Sequence, residues 1–163
     1  VQLNVVVVQM HGTDWKAIYK SYKEYTQAQL SDVRVVRSWV HEGKKCVVLR
    51  GQTHYAAYVE AKYRIDYDDG FGPANFIESH GGITFSGTLV NNPFGADVWF
   101  YGMDFGHLGD HVEFPNGGCI SCKAGSRHNW TEEEVVRETE KLVDEVRRFE
   151  EMYFLRVLKE SFS

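Results

Sequence analysis

The stretch from Thr131 to Tyr153 most constrains what this chain can fold into. Thr131 and Glu134 have the spacing of a capping box, and Glu132, Glu133 and Glu134 place three carboxylates at the positive start of a helix. Val135, Thr139, Leu142, Val146, Phe149 and Tyr153 then recur on one face at helical spacing. A helix with one apolar face has to bury it, and the layer it meets decides the fold class. Past Met152, "MYFLRVL" is apolar nearly all round. That end is expected to bury against a sheet or against a second subunit, which would make a homodimer through the C-terminal helix.

The remaining periodicities supply a sheet. The run "VRVVRSWV" alternates as a strand does, "HEGKK" reads as a turn, and "CVVLR" reads as the partner strand. Residues 54–63 suggest a third strand, which completes an antiparallel meander. Further strands are expected at 83–90 and 98–103, the latter in the middle of the sheet. Near the start, residues 3–10 are β-branched and continuous, as in a buried strand. Thr13 then opens a helix over 14–30 whose stripe of Trp15, Ile18, Tyr19, Tyr22 and Tyr25 packs on the sheet. The expected architecture is one α+β domain over residues 1–163. It is mostly antiparallel sheet, with an aromatic N-terminal helix and a long C-terminal helix packed on it.

Composition narrows the function classes. The 163 residues, 43% apolar and 14% aromatic, are enough for a real core. A net charge of -5 argues against a general nucleic-acid binder, and the acids lie in runs too short for a DNA mimic. Arg34, Arg37, Lys44, Lys45 and Arg50, interleaved with Trp39, form a basic cluster that can meet phosphate or an acidic partner, or stay a solvated strand face. No apolar run approaches the ~20 residues that span a bilayer, so no membrane partner is expected. The chain opens on Val1 without a signal peptide pattern, which suggests a trimmed start. Three cysteines favour a reducing cytoplasm, where the sequon at Asn129 goes unused. Cys46 in its apolar strand is expected to be buried and inert. Cys119 and Cys122 are half of a zinc site, with His128 and His111 as further ligands, or else unpaired thiols in a loop.

Two long polar loops, 66–82 and 104–128, hold the residues most suited to chemistry. If the strands at 83–90 and 98–103 form an antiparallel pair, the start of one lies beside the end of the other. His80 then comes near Asp104 and His107. Carboxylate and neutral imidazole are common ligands of divalent cations, so His80, Asp104, His107 and Asp110 form a candidate metal set. Such a metal would activate water for hydrolysis, with His80, His107, Asp110 and His111 as candidate catalytic groups. Asp68 is a second candidate base. Asp68, Gly81, Gly82, Thr84 and Tyr101 complete the expected ligand-binding set, and Gly106 and Gly109 add backbone that an anion can approach. The plain alternatives are that Asp104 caps a turn, that His107 is a core histidine and that "YDDG" is itself a turn.

The order "YDD", "HGGITFSG", "WFYGMDFGHLGD" and then a "WTEEEV" helix resembles a small protein family of phage and prophage genomes. In that family a His-Gly-Gly-[Ile/Leu]-Thr segment precedes Trp-x-Phe-Gly-Phe-Asp-x-Ala-His-x-Gly-Asp. His80 to Thr84 match the first segment, and Trp99, Gly102, Asp104, His107, Gly109 and Asp110 match the second. Tyr101, Met103 and Gly106 depart mildly, and the likeness runs from about Arg50 to the last helix. The resemblance implies a context rather than an activity: a phage-type accessory protein in the bacterial cytoplasm. Its partner would be a small phosphorylated ligand, or a host defence protein that it inhibits without catalysis, as an anti-CRISPR protein does.

Overall fold

A computed structural model describes residues 33–51, 54–67, 69–89, 92–106 and 128–162. The expected strand at 3–10 and helix at 14–30 lie outside the described residues, as do Cys119 and Cys122. Strands β1 (Arg34–His41), β2 (Lys44–Arg50), β3 (Tyr55–Glu60), β4 (Phe85–Thr88) and β5 (Trp99–Asp104) form one sheet. A single-turn helix α1 (Pro73–Phe76) sits in the loop before β4, and α2 (Glu132–Ser161) closes the described chain. The sheet order is β1-β2-β3-β5-β4, with every neighbouring pair antiparallel. The α+β class is therefore as the sequence implies. The strand expected to be central, β5, is an interior strand paired on both sides, between β3 and the edge strand β4.

Each element follows from its residues. Helix α2 begins at a formed capping box: Glu134 N–H donates to Thr131 Oγ1 (3.3 Å) and Thr131 N–H donates to Glu134 Oε1 (3.2 Å). Its buried stripe is Val135, Thr139, Leu142, Val143, Val146 and Phe149, and the hydroxyl of Thr139 is satisfied by the carbonyl of Val135. That stripe packs on Cys46, Val48, Val59, Trp99, Tyr101 and Met103. Val47, Leu49 and Phe100 form a second core on the opposite face, with Leu89. Strands β2 and β5 are thus covered on both sides, which explains why they read as continuous apolar runs. A bulge between Val35 and Arg37 lets Val36 and Trp39, an odd spacing apart, reach the same core. Gly102 is required in β5 because a Cβ there would sit 2.6 Å from the ring of Tyr58.

The β1–β2 hairpin lies along α2 and is tied to it repeatedly. Arg37 bonds Glu132 (3.1 Å) and Glu133 (2.7 Å), His41 lies 3.4 Å from Glu140, and Lys44 lies 2.5 Å from Glu150. At the turn itself Glu42 takes a left-handed conformation (φ 47) ahead of Gly43 (φ 84), and its carboxylate accepts from Arg147 at 3.2 Å. The expected basic cluster is therefore mostly neutralised: Lys45 pairs with Glu60, and Arg50 stacks over Tyr55 at 4.6 Å. It is not an open phosphate-binding face.

Candidate functional site

The strand pairing that brings the two polar loops together is present. Phe85 pairs with Gly102, and Thr84 N–H donates to the carbonyl of Gly102 (2.9 Å). The chain just before β4 therefore reaches the end of β5. Thr84 Oγ1 donates to Asp104 Oδ2 (3.3 Å), and Gly106 N–H donates to Asp104 Oδ1 (3.0 Å). Asp104 caps the turn that leaves the strand, and Thr84 orients it. Gly81 (φ 66) and Gly82 (φ 87) both occupy the left-handed region, and Gly82 N–H closes the turn onto Ser79 (3.2 Å). Their first role is to turn the chain between His80 and β4.

His80 stacks flat on Phe105 (centroids 4.9 Å apart, 9° between planes) and meets Trp130 edge-on at 4.7 Å. His128 meets the same indole at 4.5 Å, and its Nε2 is 2.5 Å from Glu134 Oε2. The Thr131 hydroxyl, and then His128, hold the Glu134 carboxyl below its usual range. Aromatic packing thus fixes the His80 ring beside residue 105, as the strand pairing implies.

In front of His80 is a cleft of about 420 Å³ between residues 78–80 and the outer face of α2. Glu78, Ser79, Glu138, Lys141, Asp144, Glu145 and Arg148 line it with His80. Both cations are already tied within the helix, Lys141 to Glu138 (2.8 Å) and Arg148 to Glu145 (2.7 Å). Among the described residues the Ser79 hydroxyl, like Trp39 Nε1, is buried without a hydrogen-bond partner, and Ser79 alone of the two lines this cleft. A buried polar atom left unpaired in a native fold calls for an explanation, and a polar ligand is one.

The other expected site residues fall differently. Tyr101 lies in the core rather than on a cleft wall: it is wholly buried, and its hydroxyl donates to the carbonyl of Tyr63 (2.5 Å). Burial pushes its phenol pKa up, so it stays protonated. Cys46 is wholly buried and its thiol is pushed up to about 12, so it is inert as expected. Asp68, His107, Gly109, Asp110 and His111 lie outside the described residues. Among the described residues no three His, Cys, Asp or Glu side chains are close enough to hold a metal ion, and the expected set needs His107 and Asp110.

Sequence reading missed Ser79, Trp130 and the wall supplied by α2. Ser79 precedes the His-Gly-Gly turn, and Trp130 precedes the helix cap, so both stand beside motifs that were legible. Comparison with protein-family models, with curated proteins and with solved structures finds no match. Among the described residues no helix is long and apolar enough to cross a membrane.

Proposed function

We propose that this chain is a phage-type accessory protein of the bacterial cytoplasm that binds a small phosphorylated ligand, such as a nucleotide, in the His80 cleft. The observation that carries this reading is the buried, unpaired Ser79 hydroxyl beside a histidine held rigid by Phe105 and Trp130. The cleft's charge sets a condition. Four carboxylates face two cations that are already paired, so a bare phosphate would be repelled. The ligand would enter as its complex with a divalent cation, whose charge offsets that of Glu78 and Asp144. Hydrolysis would further require a base or metal ligand from His107, Asp110 or His111.

Titration calorimetry with a panel of nucleotides tests the reading, each with and without Mg²⁺ or Mn²⁺. Binding is expected only with the cation, and His80→Ala is expected to weaken it about tenfold or more. Absence of heat from every nucleotide in both conditions would sink the reading.

A second reading rests on a different surface. Phe71 and Phe76 are exposed (52% and 45%) and stack on each other at 6.4 Å, as an anchor for another protein would. In that reading the chain inhibits a host defence protein without catalysis. Inhibition that survives His80→Ala but fails with Phe71→Ser and Phe76→Ser together would favour it over the cleft.

A further inference from the structure

The sheet-facing stripe of α2 ends at Glu150, yet the helix continues to Ser161. Beyond that point its body-facing side is still occupied. Tyr153 packs on Tyr63 (centroids 4.9 Å apart), and the Arg156 guanidinium lies 3.0 Å over the ring of Phe71. The opposite side carries Glu151, Leu155, Leu158 and Phe162. Their spacing of four, three and four is that of a two-helix coiled-coil seam. Leu155 is 64% exposed, Leu158 42% and Phe162 84%. So much apolar surface along one line of a helix pointing away from its own core is unusual in a monomer.

We propose that this seam pairs with the same seam of a second copy, the two helices running antiparallel about a two-fold axis. Charge favours that occupant and that direction. Glu151 near the start of the seam and Lys159 near its end are both exposed, and neither has an ion-pair partner among the described residues. An antiparallel pair that sets Leu155 of one copy against Leu158 of the other brings each Glu151 within one helical turn of the other copy's Lys159. A parallel pair aligns like with like. A two-fold interface needs such a self-complementary patch. The overlap is roughly 17 Å of helix at 1.5 Å per residue. That is short of a standard interface, so the dimer is weak and depends on concentration.

Sedimentation velocity of the full chain over a rising concentration series tests this. Wild type is expected to pass from monomer to dimer. Leu155→Glu is expected to abolish the transition while circular dichroism stays unchanged, because the residue is exposed in the monomer. Glu151→Lys is expected to weaken association roughly fivefold, and adding Lys159→Glu to it should restore the wild-type curve. A chain that stays monomeric at every concentration overturns the proposal, as does a dimer indifferent to Leu155→Glu. A double charge swap no better than the single one overturns the antiparallel arrangement.

Discussion

Two polar clusters flank α2, one at Lys44 and Glu150 and one at Ser79 and His80, and they differ in how well their polar atoms are matched. At the first, Glu150 receives Lys44 Nζ and the backbone N–H of Lys62 (2.6 Å), while Lys44 also donates to the carbonyl of Glu60 (3.0 Å). Side-chain exposure there is only 11% for Lys44 and 8% for Glu150, yet every charge has a partner. At the second, a buried hydroxyl has none among the described residues, and Glu78 and Asp144 face a cleft whose two described cations are already paired. Burial and charge alone therefore do not distinguish structure from function. The distinction lies in whether the polar atoms close on each other or remain open to something else.

The largest expected effect comes from opening the closed cluster. Glu150→Ala leaves the Lys44 ammonium mostly buried with only the Glu60 carbonyl to bond and no counter-charge, and it takes the acceptor from the Lys62 N–H. It is expected to cost roughly 3–5 kcal/mol in chemical denaturation. A loss under about 1 kcal/mol would mean that water enters this cluster readily, and the contrast with the cleft would weaken.

A smaller effect is expected from acid at the open end. The Glu134 carboxyl sits below its usual value of 4.5 in the folded protein. Its contribution is therefore complete above that value and is lost as pH falls through the lower, folded one. Thermal melts from neutral to acid pH are expected to show Glu134→Gln less stable than wild type near neutrality, the gap closing below pH 4.5. A gap independent of pH would contradict the hydrogen-bonded picture of Thr131, Glu134 and His128.

The smallest effect on stability, and the sharpest test of the contrast, is Ser79→Ala. Removing a buried hydroxyl that bonds nothing is expected to leave the melting temperature unchanged or slightly raised. The same change is expected to weaken nucleotide binding severalfold in titration calorimetry. A clear loss of stability would show that the hydroxyl has a structural partner after all.

The parts of this molecule legible in its sequence are those governed by local spacing. The capping box of Thr131 and Glu134, the buried stripe from Val135 to Phe149 and the inert Cys46 each depend on residues a few positions apart or on one strand. The meeting of Thr84 with Asp104 was legible one step removed, because a hairpin brings its two ends together. The cleft wall was not. Glu138 and Asp144 share a cleft with His80 only through the long-range packing of α2, which no local pattern encodes. The fate of the basic cluster was left open for the same reason: Arg37 and Lys44 find carboxylates about a hundred positions away. Tyr101, a candidate ligand residue by sequence, is taken up by packing instead, because its strand has a core on both faces.

The ties between the hairpin and α2 have a consequence beyond their energies. Going from Arg37 to His41, Glu42 and Lys44, the helix partners advance in the same order, from Glu132 and Glu133 to Glu140, Arg147 and Glu150. Most of these pairs are at the surface and individually weak. Together they act as a vernier between two scales of different pitch, and only one alignment lets every mark coincide. A slip of one residue in the β1–β2 register would turn each side chain to the wrong face and miss all of them. The edge of the sheet is thus held in register by the helix beside it, so that identity of alignment, more than strength of attachment, is what these charges provide.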